Sequence, residues 1–537
     1  MESLAADLAT MVRTPLHESH VAAMRRIGHE VTYDKGSMVV QPGEPMDQFL
    51  YVLDGEIELL DPVSMTRRVA FTVGPTQFLG EIGFLSGSRF SMPMRAVKNS
   101  RLLSVDRDKM LRLMSEIPEM SDIIITVLAA RRRRQLEQGD SSLTIIGAEA
   151  DRNLSRIAVF ASRNRIPVRM IPLETDEARE EAEACALMPS EPAVIFGKEP
   201  IEDPTPARVA RILGLDLAAE TDHVYDVVIV GGGPAGVAAG VYAGAEGLSA
   251  LVLDDLAIGG QAGTSSRIEN YMGFPTGISG ADLCWRGEVQ AMKFGTKFAV
   301  PRRATALKRE EDGTFCITLD NGSDVCARSV IVSTGVQYRR LPVEGLEGFE
   351  GAGIYYAATD LEARFCQETE VVVIGGGNSA GQAAMFLSRT AKHVHVLVRG
   401  PSLAASMSDY LLSRLERDPA ITIHYSTQMT ALHGDGQLDG VTIHDRARAQ
   451  DWHIPSRAVF VMVGAAPNTD WLSGLVDLDE KGFVKTGDAC GAVSPYETSH
   501  PGIFAVGDVR AGSVKRVASA VGEGSVVISK VWEHVNV

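Results

Sequence analysis

No two of the six cysteines in this 537-residue chain are spaced Cys-x-x-Cys, which excludes a zinc ribbon and a local redox dithiol. The six are Cys185, Cys284, Cys316, Cys326, Cys366 and Cys490. Cys316 and Cys326 flank a hairpin signal, Asn321-Gly322. A two-residue turn there sets Ile317 opposite Cys326 and puts Cys316 on the other face, so no bridge is expected. All six are expected as reduced, mostly buried thiols. Positive charge is also short: 52 Lys and Arg against 69 Asp and Glu give a net charge of −17. That excludes a nucleic-acid binder held by phosphate contacts. The run Arg131 to Arg134 does not change this, since cations near a helix end are favourable and solvated, and no helix-turn-helix pattern follows. Long apolar runs are absent too. Val227 to Val230 is of strand length, far below the ~20 residues of a membrane span. The opening MESLAADLAT is no basic-then-apolar leader. A soluble, cytoplasmic protein with no membrane or nucleic-acid partner is expected.

What is present is ordinary globular composition, 45% hydrophobic and 23% charged, over a length that implies three or four domains. Residues 15–138 open with short alternating segments broken by glycine, KGSMVVQPGEPMDQFLYVLDGEIELL and GEIGFLSGSR, the pattern of a small β-barrel or roll. Arg107 to Gln138 reads as helical. Residues 141–216 start as a βαβ unit on a small mixed sheet: SLTIIG, a helix at Leu154 to Arg163, then VRMIPLE. EPAVIF and a helix at Pro206 to Leu213 follow.

From Val224 the signals strengthen. VYDVVIVGGGPAGVAAGVYAGAEG is strand, glycine turn and helix, and EVVVIGGGNSAGQAAMFLSR repeats it with the first glycines, Gly231 and Gly375, 144 residues apart. Two nucleotide-binding domains are implied. In the first, Gly231 permits the tight turn, Gly233 admits a pyrophosphate and Gly236 lets helix and strand pack; Pro234 and Ala235 open the helix whose free N–H groups meet phosphate. Asp254 stands 18 residues after Gly236, at the end of SALVLD, where a carboxylate accepts ribose hydroxyls. In the second unit Gly375, Gly377 and Ala380 take the three roles, with Asn378 and Ser379 between. HVHVLVRG ends on Arg399 and not on an acid, which suits a 2′-phosphate and hence NADPH over NADH.

The segments that follow carry a resemblance. IGGQ (Ile258 to Gln261), IENYMGFP (Ile268 to Pro275), SVIVSTG (Ser329 to Gly335), PGIFAVGDV (Pro501 to Val509) and VKRVASAVGEG (Val514 to Gly524) occur in the order and spacing of thioredoxin reductase. Over nearly 315 residues the chain is similar to that family, which implies FAD and NADPH as cofactors and a homodimer. It implies an FAD domain in two pieces, 224–340 and 463–537, with the NADPH domain inserted at 341–462. Flavin-contacting positions carried over by the resemblance include Gly260, Gln261, Asn270, Thr334 and Gly335. Gly507 and Asp508 would meet the ribityl-phosphate region. Arg516, Val517 and Ala518 would open a helix facing the flavin ring, where an N-terminus stabilises negative charge on reduction.

The pattern breaks at the family's Cys-x-x-Cys-Asp. The corresponding GIYYAATDLEARFC puts Tyr356 and Thr359 at the cysteine positions and Asp360 at the acid, within a residue or two of register. Asp360 reads equally as a proton relay or as a helix cap. Hydride uptake from NADPH needs no cysteine, whereas disulfide exchange needs a dithiol. An FAD-dependent NADPH oxidoreductase serving a non-disulfide acceptor is expected: a ferredoxin, a quinone or dioxygen. The alternatives are a sensor whose flavin state controls assembly, and a thioredoxin reductase whose dithiol comes from a partner.

Two further resemblances concern the first 216 residues. Gly43, Gly55 and FLGEIGFLSGSRFSMPMRA resemble the cyclic-nucleotide-binding domain of catabolite-activator-type proteins. There Gly80 and Glu81 would meet a ribose. Phe90 stands in place of the phosphate-binding arginine, with Arg89 one position early and Met92 and Pro93 after it. Cyclic-nucleotide binding is therefore an open question against a retained fold with another signal. Residues 141–216 resemble the thioredoxin/glutaredoxin fold, with Pro192 where that family has a cis-proline and Ala148 to Asp151 where it has cysteines. The fold class expected is multidomain α/β. Two Rossmann-type domains follow a β-roll and a small thioredoxin-like domain, and no metal site is expected.

Overall fold

The computed structural model describes residues 15–536 apart from 62–63, 69–71, 139–142, 149–150, 189–190, 216–222, 266, 339–340, 351–352, 357, 359–362, 364–365, 367, 405, 436 and 473. Six strands form the N-terminal roll: β1 (His29–Tyr33), β2 (Met38–Val40), β3 (Gln48–Asp54), β4 (Ile57–Leu59), β5 (Met94–Ala96) and β6 (Ser100–Asp106). They pair as two three-stranded sheets, β1-β6-β3 and β2-β5-β4. Phe49, Phe78, Phe84 and Leu102 fill the space between them. The helical stretch is two helices, Arg107–Glu116 and Pro118–Gln138, divided where Pro118 denies an N–H to the first. Arg131 and Arg132 lie more than a turn before the end of the second helix, and they are not solvated. Arg131 donates to the carbonyls of Gly80 and Phe78 at 2.8 and 2.7 Å, and Arg132 stands 3.7 Å from the Glu81 carboxylate.

The next unit is a four-stranded sheet in the order β10-β9-β7-β8, from β7 (Leu143–Ile146), β8 (Arg169–Ile171), β9 (Ala193–Phe196) and β10 (Glu199–Pro200). β7 and β8 are parallel and β9 antiparallel. Asp151 caps the helix Arg152–Arg163 by accepting from the N–H groups of Asn153 and Leu154. The bond before Pro192 is not cis: among the described residues the one cis peptide is Val300–Pro301.

A seven-stranded sheet carries the first glycine motif. Its main path is β13-β12-β11-β16-β15-β14, with β27 added on β16. The strands are β11 (Val224–Val230), β12 (Ala250–Leu253), β13 (Lys297–Ala299), β14 (Ala304–Arg309), β15 (Phe315–Leu319), β16 (Asp324–Val332) and β27 (Ile503–Ala505). β11 is buried along Val227 to Val230 and pairs in parallel with both β12 and β16, as a central strand covered on both faces must. The β15–β16 turn differs from expectation. Leu319 N–H bonds the Ser323 carbonyl at 2.8 Å, so three residues close the loop, with Gly322 at φ 81°. A three-residue loop with glycine in the left-handed position shifts the register by one. Cys316 therefore faces Cys326 directly, their Cα atoms 4.1 Å apart, and the two are joined by a disulfide.

The second glycine motif lies on a five-stranded parallel sheet ordered β18-β25-β19-β20-β21, from β18 (Ile354–Tyr355), β19 (Glu370–Ile374), β20 (His393–Val398), β21 (Ile421–Tyr425) and β25 (Ala458–Val461). A three-stranded meander, β22 (Thr427–Asp435), β23 (Gln437–Asp445) and β24 (Gln450–Ile454), covers it. The chain enters and leaves this unit side by side, because β17 (Val336–Tyr338) and β26 (Ala465–Pro467) pair antiparallel.

Candidate functional site

The first glycine turn follows Val230 at the end of β11. A Cβ on Gly231 would lie 2.3 Å from the Ser333 carbonyl oxygen, and one on Gly236 would lie 1.8 Å from the Gly231 oxygen. Both positions exclude any side chain. Gly233 differs: its nearest neighbour is the Gly260 Cα at 4.0 Å. The space over Gly233 is thus open at the N-terminus of the helix Pro234–Ala245, where first-turn N–H groups have no intrahelical acceptor. The cradle fits a pyrophosphate.

Segments distant in sequence close around this turn. Gly260 approaches Gly233, Gln261 Nε2 donates to the Val336 carbonyl, and Thr334 Oγ1 donates to the Asn468 carbonyl at 2.8 Å. Gly335 has φ 59° in the same crossing, while Asn270 is exposed on the following loop. Asp254 is more committed than a ribose acceptor alone. Its carboxylate accepts from the N–H groups of Gly232 at 2.8 Å, Leu256 at 3.0 Å and Ala257 at 2.9 Å. Burial pushes Asp254 up to about 6, with Asp255 adding to the rise and those three N–H groups opposing it.

At the far end of the chain, Gly507 N–H donates to Glu523 Oε2 at 2.7 Å, and Arg510 Nη2 donates to Glu523 Oε1 at 2.6 Å. Burial raises the neighbouring Asp508 carboxyl, Lys515 opposes the rise and Glu523 adds to it. Arg516, in extended conformation, precedes the helix Val517–Val535. Arg516 and Ala518 are exposed and Val517 is half-buried. This helix lies against Pro234–Ala245 so closely that a Cβ on Gly524 would be 2.2 Å from the Ala235 oxygen. Glu523 was not singled out by the sequence, and its only signal was a carboxylate inside an otherwise small-residue helix.

The second turn repeats the first. A Cβ on Gly375 would be 2.3 Å from the Met462 oxygen, Ala380 is fully buried, and Gly377 has nothing within 4 Å. Asn378 Oδ1 accepts from Ser408 N–H at 2.8 Å, which folds the Ser402 to Ser408 segment over the turn. Ser379 is exposed beside it, and Arg399 is exposed at the end of β20. The open space and free helix N-terminus suit a second dinucleotide.

Of the residues at the lost cysteine positions, Tyr356 directly follows β18 and donates its hydroxyl to Glu350 at 2.8 Å. Thr359 and Asp360 lie outside the described residues. Cys284, buried on the helix Gly280–Lys293, contacts the Gly259 carbonyl at 3.8 Å, and burial pushes its thiol up to about 12.

Two nucleotide cradles, the first on a mixed sheet and the second on a parallel one, joined by a paired double crossing, define a two-dinucleotide oxidoreductase. The pattern of the pyridine nucleotide-disulphide oxidoreductase family matches residues 225–524, and the chain belongs to that family. The enzyme is an FAD-dependent NAD(P)H oxidoreductase of a family that uses FAD and NADPH. Thioredoxin reductase of Treponema pallidum is 35% identical over 306 residues, 57% of this chain and 95% of that protein. NADH dehydrogenase of Bacillus subtilis is 32% identical over 301 residues, 56% of this chain and 57% of that protein. The crystal structure of T. acidophilum thioredoxin reductase superposes with a TM-score of 0.54 at 30% identity, covering 59% of this chain and all of that one. A cyclic nucleotide-binding domain pattern matches residues 30–116.

Proposed function

We propose that this chain takes a hydride from NADPH onto FAD and passes the electrons to a non-disulfide acceptor: a ferredoxin, a quinone or dioxygen. The position of the cysteines carries the reading. Cys326 pairs with Val224 at the start of β11, so the Cys316–Cys326 pair lies a strand length, about 20 Å, from Gly231 at the other end. Cys185, Cys284 and Cys366 are buried singly, and Cys490 Sγ contacts backbone carbonyls. Disulfide exchange needs a dithiol beside the reduced flavin, and Tyr356 offers a phenol bound to Glu350.

The chemistry supplied by bound FAD is acceptance of a hydride from NADPH and release of two electrons. In this reading the 224–340 and 463–537 segments hold FAD, and 341–462 holds NADPH. Gly231, Gly233, Pro234, Ala235 and Gly236 cradle the pyrophosphate. Asp254 fixes the turn and offers a remaining lone pair to the ribose. Gly260, Gln261, Asn270, Thr334 and Gly335 line the isoalloxazine side, and Gly507 and Asp508 the ribityl phosphate. The helix opening at Arg516, Val517 and Ala518 favours negative charge on the reduced ring. Gly375, Gly377, Asn378, Ser379 and Ala380 hold the second dinucleotide, with Arg399 on its 2′-phosphate.

An anaerobic titration tests this. NADPH is expected to bleach the flavin absorbance and NADH to do so less efficiently. Arg399→Ala is expected to reduce the NADPH preference about tenfold, as loss of a charge-assisted contact does. Persistent oxidised flavin under excess NADPH would overturn the reading, and so would efficient turnover with oxidised thioredoxin in the acceptor panel.

A second reading has its own observation. Arg163 Nη2 donates to the Gly260 carbonyl at 3.3 Å, and Asn164 Nδ2 to that of Leu256 at 2.9 Å, so the 141–216 unit, read as thioredoxin-like without a dithiol, grips the flavin loop. In that reading the flavin state controls assembly. A change in sedimentation on reduction, with slow turnover on every acceptor, would favour it.

A further inference from the structure

Two successive glycines leave the loop after Asp254 without a shape of its own. Gly259 has φ 118° and Gly260 φ 53°, and a backbone without Cβ atoms turns its peptide planes at little cost. The flavin unit itself holds the first glycine: Gly259 N–H donates to the Gly232 carbonyl at 2.7 Å, and the Gly259 carbonyl accepts from Gly263 N–H at 2.9 Å. The next peptide is held from outside. Among the described residues the donor to the Gly260 carbonyl is Arg163 Nη2, at 3.3 Å, and Arg163 belongs to the 141–216 unit.

That contact sets the direction of a second group. A trans peptide points its C=O and its N–H to opposite sides. With the Gly260 carbonyl turned to Arg163, the Gln261 N–H points away from the 141–216 unit, and it donates to no acceptor among the described residues. A Cβ on Gly260 would lie 3.0 Å from the Gly233 Cα, so this peptide borders the pyrophosphate turn. A donor fixed in place beside a cofactor favours whichever state of that cofactor carries more negative charge.

The hold is made by three consecutive residues. Beside Arg163, Asn164 Nδ2 donates to the Leu256 carbonyl at 2.9 Å, and the Leu256 side chain packs against the apolar core of the 141–216 unit. Arg165 takes φ 52°, a left-handed conformation that a Cβ makes unfavourable and that persists only where the surroundings over-determine it. Asp282 and the Trp285 ring, 5.3 Å from the Arg165 guanidinium, do so here. The opposite end of the helix Arg152–Arg163, beside Ala148 to Asp151, is 12 residues away, or about 18 Å. The unit therefore turns a cation and an amide to the flavin loop, and keeps the position of the missing dithiol far from it.

We propose that Arg163 and Asn164 are positioning residues of the flavin site. They fix the Gly260–Gln261 peptide with its N–H toward the isoalloxazine, and so raise the reduction potential of the flavin by stabilising the negative charge of the reduced ring. The 141–216 unit is then a part of the flavin site and not a carrier of its electrons. This inference rests on the reading that Gly260 and Gln261 line the isoalloxazine side.

The test is the two-electron reduction potential of the flavin in the full-length holoenzyme, measured by equilibration with a redox dye of known potential. Arg163→Gln is expected to lower it by about 30 mV, tenfold in the reduction equilibrium, with circular dichroism unchanged. Arg163→Lys, which keeps the charge and a donor, is expected to recover at least half of that shift. Arg156→Gln removes an exposed cation from the same helix and is expected to leave the potential unmoved. Should Arg163→Gln fail to fold, Asn164→Ala, which releases the Leu256 carbonyl, serves instead and is expected to lower the reduction equilibrium at least threefold. A potential in Arg163→Gln within twofold of the wild-type equilibrium would overturn the proposal. So would an equal shift in Arg156→Gln, which would trace the effect to net charge. Gln261→Leu separates the two levels of inference: it removes the contact to Val336 and is expected to alter the visible spectrum of the flavin. A silent Arg163→Gln beside an altered Gln261→Leu overturns the positioning role alone, and silence in both overturns the place of this loop at the flavin as well.

Discussion

Glu523 satisfies two groups with one carboxylate. Oε2 takes the Gly507 N–H and Oε1 the Arg510 guanidinium, which itself lies 5.5 Å from the Tyr496 ring. Removing the carboxylate leaves a buried N–H and a largely buried cation without an acceptor, a loss of about 3–5 kcal/mol. Glu523→Ala is therefore expected to shed flavin on gel filtration and to lower the denaturant midpoint. Glu523→Gln is expected to fall between, since an amide oxygen still accepts from Gly507; equal flavin retention in all three proteins would contradict this. The residue was illegible because its role depends on a partner 16 positions earlier in a different element. The glycines were legible for the opposite reason. Gly231, Gly236 and Gly375 each answer a contact with nearby backbone, and such demands leave a fixed spacing in the chain. Asp254 was half legible: its place at a strand end was clear, and its three backbone donors depended on how the turn folds back.

At the scale of elements, the β15–β16 hairpin shows how far one residue reaches. The Asn321-Gly322 signal marked the turn correctly, but a loop of three residues in place of two moved Cys316 opposite Cys326. Closing a loop with the observed separation of 10 residues stabilises by about 2–3 kcal/mol. The double change Cys316→Ser with Cys326→Ser is expected to lower the melting temperature yet leave NADPH reduction of the flavin within twofold. A tenfold loss of flavin reduction would put these cysteines in the electron path. The face of β20 and β21 offers a second case. His395 Nδ1 and His424 Nε2 are 3.0 Å apart, and His395 Nε2 is 3.2 Å from Glu370. Burial pushes His424 down to about 4, with His395 and His393 adding to the fall and Asp445 opposing it. Burial also lowers His395, against Glu370. Between pH 6.5 and about 4 the unfolded chain therefore binds protons that the folded sheet refuses, so this contribution is present above 6.5 and lost as pH falls. The fall in melting temperature from pH 7 to pH 5 is expected to be smaller in His424→Asn than in the wild type. An equal fall in both would remove His424 from the account.

At the scale of the whole molecule, the sequence changes pattern between its segments, but nothing in it marks how the segments dock. Arg131 and Arg132 read as part of a solvated helix end because nothing local marks Phe78 or Glu81 as their neighbours. The helix Gly280–Lys293 looked like part of the flavin unit alone. It serves two units: Val289 is buried in the roll cluster with Trp285 and Met292 against it, Lys293 stands 3.8 Å from Asp122, and Arg165 pairs with Asp282 and lies over Trp285. Cutting the chain before Val224 would expose that face, at roughly 1.5–3 kcal/mol for each large side chain fully uncovered. It would also remove the Arg163 contact to Gly260. The fragment 224–537 is thus expected to melt lower than the full chain, to bind an apolar dye and to lose flavin faster on dilution, although both glycine turns remain intact. If the fragment matches the full chain in all three, the N-terminal units are attached to the flavoprotein without stabilising it.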